Sequence, residues 1–355
     1  MPKSVSAHAL DTLVTLGVLP KATPELRAVA AQFAVSITPA MLALINPADS
    51  DDPIAAQFVP SIDELSVRED ERLDPIGDDI HSPVTGVVHR YPDRALLKLL
   101  LRCPVYCRFC FRREQLGHDE GMLSAEALSQ ALAYIKNHTE IWEVILTGGD
   151  PLMLSDRRLS ETISQLNNID HIKVLRIHTR VPVVDPERIT HEFISILRGR
   201  LPVYVLLHCN HAREFTPDAR ASCARLIDAG IPMLSQSVLL RGINDTPESL
   251  ESLMRTLVEN RIKPHYLHHG DLARGTSHFR VPIAKGQELL RSMRGKLSGL
   301  CQPTYMLDLP GGYGKAPIGP QFAIENDDGW LVEDFHGHKH SYTDVAAISP
   351  KVKDA

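Results

Sequence analysis

An α/β architecture, a partial (β/α)6 barrel of parallel strands, is what three observations in this sequence predict. Apolar, β-branched runs alternate with amphipathic helical stretches from residue 94 onward. Each strand–helix unit takes about 30 residues, enough for a parallel strand and its helical crossover. The residues that carry chemistry gather just after the strand candidates, where barrels of this kind keep their sites. Six units fall short of the eight that a full barrel requires.

In chain order, residues 1–80 read as an N-terminal helical and loop cap, or an arm for oligomerisation. Within it, TPELRAVAAQF and TPAMLALI each open on Thr-Pro, a helix start signal, and carry helical apolar spacing. The acidic run VREDERLDPIGDD (67–79) reads as a solvated linker. The barrel is expected over 81–300. Its strand candidates are Ala95–Leu101, Glu143–Thr147, Lys173–His178, Val203–His208, Met233–Val238 and Pro264–His268. Helices are expected near 123–137, 155–168, 186–198, 216–229, 247–260 and 284–297. The segment 301–355 leaves the pattern. It holds a short strand that runs into the glycine-rich loop PGGYGKAP, then GWLVEDF as a strand of a last hairpin, and a frayed KVKDA end.

Bulk properties exclude several function classes. The formal net charge is −6, so no general basic field invites nucleic acid. No apolar run approaches the roughly 20 residues that span a bilayer. The opening MPKSVSAHALDTL lacks the apolar core of a signal peptide. A cytoplasmic, reducing home is therefore expected, and it suits free thiolates.

Cys103-x3-Cys107-x2-Cys110 directly follows the apolar run RALLKLLL (94–101). A strand leading into a loop with three thiolates offers soft ligands, which suit an iron–sulfur cluster or zinc. Three ligands on a cubane cluster leave one iron open to bind a small molecule. Closed structural zinc needs a fourth ligand, and no second CxxC pair exists. An iron–sulfur electron carrier is the non-enzyme alternative. Cys209, Cys223 and Cys301 are scattered and read as buried structural thiols.

Other stretches add chemistry. LTGGDPLM (146–153) places Gly148, Gly149 and Asp150 at a strand end, where glycines let backbone approach a ligand. Lys315 stands among glycines, and a lysine amine can form Schiff bases with carbonyl compounds, including pyridoxal 5′-phosphate (PLP). HRYPDR carries Arg90, Tyr91 and Arg94, and arginine forks match phosphate oxygens.

The three-cysteine spacing, with Phe109 before the last cysteine, resembles the signature of radical S-adenosylmethionine (SAM) enzymes. Together with SPVTGVVHRYPDR, LTGGDPL, HCNH (208–211), SQSVLLRGIND, DLARGTSHFR and LDLPGGYGKAP, it resembles the lysine 2,3-aminomutase family from about residue 40 to about 335. The resemblance implies a radical SAM barrel with a C-terminal segment that carries the PLP lysine. It implies a [4Fe–4S] cluster on Cys103, Cys107 and Cys110, with Gly148, Gly149 and Asp150 near SAM. Lys315 would hold PLP, with Arg90, Tyr91 and Arg94 around its ring and phosphate. His208 and Gln236 would line the cofactor pocket. Arg112 would bind the substrate carboxylate, and Asp271 and Asp308 its distal ammonium. The implied reaction moves the amino group of L-lysine from Cα to Cβ. A lysine of translation elongation factor P, or its lysyl precursor, is the alternative substrate. A reductant protein such as flavodoxin or ferredoxin is implied as a partner, and homo-oligomerisation is left open. No cysteine follows Cys301, so the interface zinc site of the long aminomutases is expected to be absent.

Overall fold

The computed structural model of the protein describes residues 9–116, 121–327 and 329–345; the KVKDA end lies outside them. At its centre is a nine-stranded sheet whose spatial order is the chain order. Its strands are β1 (Val87–Tyr91), β2 (Arg94–Leu100), β3 (Glu143–Gly148), β4 (Val174–Thr179), β5 (Val203–His208), β6 (Met233–Val238), β7 (Lys263–His268), β8 (Thr304–Leu309) and β9 (Gly314–Pro317). β2 to β8 pair in parallel, while β1 and β9 are antiparallel to their neighbours at the two edges. Leu97, Leu146, Leu175, Val205 and Leu267, one from each of five strands, are fully buried, as strands covered on both faces require.

The six predicted strands all form, and a seventh parallel strand, β8, extends them. The separate segment expected from residue 301 is thus corrected: 304–317 belong to the main sheet, and Lys315 lies on β9 instead of in a loop. Among the described residues no helix follows β8, so the strand–helix repeat ends there although the sheet continues. The two edges meet without a backbone ladder. The Lys315 N–H of β9 donates to Tyr91 Oη, at the end of β1, over 2.7 Å.

Helices cover the outside of the sheet. Ala125–Asn137, Asp156–Asn167, Pro217–Asp228 and Pro247–Glu259 each start at a Ser or Thr whose hydroxyl accepts a first-turn N–H. The helix expected over 186–198 is broken into Val181–Val184, the turn Pro186–Arg188 and His191–Ile196. Pro186 has no N–H to continue a helix, and Thr190 caps a new one. In the cap, Pro24–Gln32 forms as expected, whereas TPAMLALI yields only Pro39–Leu42. Beyond the barrel, β10 (Ala323–Asn326), β11 (Gly329–Glu333) and β12 (Lys339–Tyr342) form a small antiparallel sheet. Among the described residues, no helix is long and apolar enough to cross a membrane.

The cap grips the loop that carries the cysteines. Tyr106 N–H donates to Ser36 O over 2.9 Å, Ser36 Oγ to Pro104 O over 2.9 Å, and Arg108 N–H to Gln57 O over 2.9 Å. Glu64 is fully buried and accepts from Arg108 Nε (2.9 Å) and Nη2 (2.6 Å) and from Arg113 Nη2. The acidic run is not a solvated linker. Glu71 is buried and accepts the Gly275 N–H over 2.9 Å, and Arg72 N–H reaches Leu272 O over 2.7 Å, so the run straps across the barrel mouth.

Replacing Glu64 by Ala leaves two buried guanidinium groups without their anion. Loss of about 3–5 kcal/mol of stability is expected, read from urea denaturation of the cofactor-free protein. Glu64→Gln keeps an acceptor and should recover part of that loss. A Glu64→Ala curve that overlays the parent would show that the clamp contributes nothing.

Candidate active site

A cavity of about 450 Å³ opens at the C-terminal ends of the parallel strands. All fifteen residues singled out from the sequence line it. They converge there because every strand of a parallel sheet points its C-terminal end the same way.

Cys103, Cys107 and Cys110 lie in the loop after β2 and face this cavity. Burial pushes the Cys103 thiol well up, helped by the nearby charges of Asp150, Cys110 and Cys107. Burial and Cys107 likewise push Cys110 up to about 11. Cys103 and Cys110 are therefore costly to ionise without a cation, and bound iron would supply one. Among the described residues, no three His, Cys, Asp or Glu side chains are grouped to hold a single metal ion.

Gly148 and Gly149 line the cavity, but their missing side chains make room for protein. A Cβ on Gly148, where φ is +118°, would strike Leu100 O, and one on Gly149 would strike the Arg102 backbone. Gly149 N–H donates to Leu100 O and Asp150 N–H to Arg102 O, over 2.5 and 2.8 Å. The pair therefore locks the end of β3 against the start of the cysteine loop. The Asp150 carboxylate is held within the protein by Thr179 Oγ1 (2.8 Å), Arg180 N–H (2.7 Å) and Leu152 N–H (3.1 Å). Burial still raises its pKa to about 6.

On the opposite wall, Lys315 Nζ pairs with Asp308 Oδ2. Gly314, at φ +91°, sits where a Cβ would fall 2.8 Å from Tyr91 Oη, so only glycine lets the tyrosine hold the Lys315 backbone. The Arg94 guanidinium stacks 3.8 Å above the Tyr91 ring. Arg90 Nη1 lies 3.8 Å from Asp308 Oδ1, and its buried Nε has no partner among the described residues. Burial and Asp308 push the Asp271 carboxyl up to about 7, against the pull of Lys315 and Arg112. In place of a cation between the two aspartates, Lys315 pairs with Asp308.

Arg112 does not wait unpaired for a carboxylate. Its Nε and Nη2 donate to Asp78 Oδ2 over 3.1 and 2.8 Å, and its Nη1 lies 3.5 Å from Thr147 Oγ1. Asp78 Oδ1 also accepts from Arg90 Nη2 over 3.2 Å. Burial raises the Asp78 pKa, but Arg112, Lys98 and Arg90 outweigh it and hold the carboxyl below its usual range. Sequence reasoning missed Asp78 because it lies in a run whose composition reads as solvent-exposed.

A neutral polar wall completes the site. His268 Nε2 bonds Gln236 Oε1 (3.0 Å), and Gln236 Nε2 bonds His178 Nδ1 (3.1 Å). His268 Nδ1 stands 3.7 Å from Asp308. Burial lowers the pKa of His178 and His268 well below the usual value and brings His208 to about 4. All three imidazoles are therefore uncharged at neutral pH. His178 and His268 stand at strand ends, which is the signal that marks them in the sequence.

Asp271 binds its proton more tightly folded than unfolded, where its pKa is about 3.9. Its contribution to stability is therefore full below that value and is lost as the pH rises towards about 7. Asp271→Asn should become progressively more stable relative to the parent between those limits, in cofactor-free urea melts taken across pH. A difference that does not change with pH would mean that Asp271 ionises normally.

The Radical SAM superfamily model matches residues 97–257. The L-lysine 2,3-aminomutase of Clostridium subterminale is 40% identical over 317 residues, 89% of this chain and 76% of that protein. That of Acetoanaerobium sticklandii is 42% identical over 304 residues, 85% and 73% of the two chains. A glutamate 2,3-aminomutase of Clostridioides difficile is 36% identical over 324 residues, 91% and 76%. With the cysteine loop and the parallel barrel, these matches show that the chain belongs to the lysine 2,3-aminomutase family of radical SAM enzymes, isomerases that work with a [4Fe–4S] cluster and SAM.

Proposed function

We propose that the protein is a PLP-dependent 2,3-aminomutase that converts L-lysine to β-lysine by moving the amino group from Cα to Cβ. One observation carries the reading: the three cysteines, Lys315, Arg112 and the aspartates Asp271 and Asp308 all face a single cavity. The residues present fit the implied groups. Three soft ligands on one loop suit a cluster with an open iron. Lys315, backed by Tyr91 and flanked by Arg90 with its partnerless Nε, suits an aldehyde cofactor that carries a phosphate. When bound, the cluster and SAM supply a radical that takes and returns hydrogen, and PLP supplies the ring over which an unpaired electron spreads during nitrogen migration.

The protein's own residues position and shield. Arg112 spends its Nε and Nη2 on Asp78 and keeps Nη1, now beside Thr147, for a substrate carboxylate. Asp271 and Asp308 face the distal ammonium. Asp308 has a second task, because it holds the Lys315 ammonium whenever that amine is free. A lysine ammonium beside Asp271 favours the ionised carboxylate, so binding near pH 7 releases a proton there. The uncharged histidines add no positive charge of their own to compete with the substrate ammonium. A glutamate substrate would set its side-chain carboxylate against two aspartates, which argues against that reaction despite the similar glutamate enzyme. A flavodoxin- or ferredoxin-type protein would deliver the electron.

Two outcomes test the assignment. Cys107→Ala should lose the iron–sulfur absorbance and reductive SAM cleavage, whereas Lys315→Ala should keep the cluster and lose the borohydride-trapped PLP adduct; trapping on another lysine would move the cofactor site.

Removing one member of a desolvated charge pair costs on the order of 2–5 kcal/mol, so Asp271→Asn should raise the KM for lysine roughly 30-fold or more. Turnover of lysine by that variant at the parent's KM would remove Asp271 from substrate binding. A parent that ignores free lysine but converts lysine on elongation factor P, or its lysyl precursor, would keep the chemistry and change the substrate.

A further inference from the structure

We infer that Arg180 tunes the electron affinity of the cluster through a hydrogen bond to Cys107, an inference that rests on the cluster assignment above. Arg180 follows β4 directly, and nothing in its sequence context marks it. Its Nη1 donates to Cys107 Sγ over 2.9 Å. The side chain is buried, and its aim is set from behind. Nη2 donates to Glu214 Oε2 over 2.7 Å and to Gln57 Oε1 over 2.5 Å, and both of those residues are fully buried. The guanidinium also lies 4.6 Å from the centre of the Phe58 ring and 5.9 Å from that of Phe109. A group held on two sides in this way cannot swing to solvent.

The competing explanation is that Arg180 is there only to neutralise Glu214. The bonding of Glu214 argues against it. Its Oε1 already accepts from Gln57 Nε2 (3.2 Å), Asn210 N–H (3.0 Å) and His211 N–H (3.0 Å). Much of that charge is thus compensated by dipoles on the far side, while the arginine turns a free N–H towards the sulfur. Hydrogen bonds and fixed charges at cluster sulfurs are recognised controls of cluster potential. Reduction adds one electron, taken from the external one-electron donor, and makes the cluster one charge more negative. A fixed cation at a cluster thiolate favours the reduced form, and a low local dielectric strengthens the effect. Gln57 also accepts the Arg108 N–H through its carbonyl, so one cap residue aims the arginine and anchors the cysteine loop.

The test is an anaerobic redox titration of the reconstituted full-length protein without SAM, followed by electron paramagnetic resonance of the reduced cluster. Parent, Arg180→Lys and Arg180→Gln are compared at equal iron content, with melting temperatures as a check on the fold. Arg180→Gln should lower the reduced-to-oxidised ratio at a fixed applied potential at least tenfold, which is 59 mV for a one-electron couple. Arg180→Lys, which keeps the charge but loses the fork, should fall between the two. Equal potentials in all three proteins would overturn the inference. It would also be overturned if Arg180→Gln failed to load iron while Arg180→Lys loaded fully at the parent's potential, since Arg180 would then shape the loop only. A parent-like cluster in Cys107→Ala would instead remove the cluster assignment beneath it.

Discussion

Buried carboxylates that grip arginines set the shape of this barrel mouth. Glu64 holds Arg108 and Arg113, Asp78 holds Arg90 and Arg112, and Glu214 holds Arg180. Desolvating such charges is costly, and their attraction offsets the cost only in tightly defined geometry. Each group therefore acts less as a source of net stability than as a constraint on position. The three sit around the cysteine loop: one below it from the cap, one beside it from the strap, and one behind it from β4 and the loop after β5. Loss of Asp78 or Glu214 would leave an orphaned charge lining the cavity.

Sheet topology brings the two halves of the site together. The cysteines follow the second strand and Lys315 lies on the ninth, so they meet only once the sheet has curled round. Tyr91 joins the edges where the backbone does not, and it does so at the lysine expected to carry the cofactor. The last strand is therefore part of the site. Formation of the site is coupled to completion of the sheet.

The far wall shows how charge is rationed. Three half-buried histidines are uncharged, which leaves Lys315 and Arg90 as the cations beside Asp308. Lys315 and Arg90 both lie against Asp308, whereas no ion pair joins Asp271 to a cation among the described residues. Burial, with the charge of Asp308 behind it, raises the Asp271 pKa to about 7, and a substrate ammonium would offset both. On the near wall, Arg180 brings a positive charge to Cys107 Sγ.

By itself, the sequence determined whatever depends on neighbours along the chain. Apolar runs and amphipathic spacing located six strands and most helices, and covalent spacing brought three thiols into one loop. The placement of chemical residues after strands located the site, since parallel strands end on one face. Tertiary structure decided what depends on distant partners. The run 67–79 looks solvated from composition, yet Asp78 meets Arg112 from 34 residues away and Glu71 meets Gly275 from 204. β8 and β9 join the main sheet although the strand–helix repeat has ended, because pairing needs a free strand edge and no helical crossover after the last parallel strand. Lys315 is held by Tyr91 across 224 residues, and the glycines after β3 are needed by backbone from β2. Such contacts leave no periodic trace in sequence: burial and pairing are properties of the assembled sheet, and a charged residue reads alike in water or against a buried arginine.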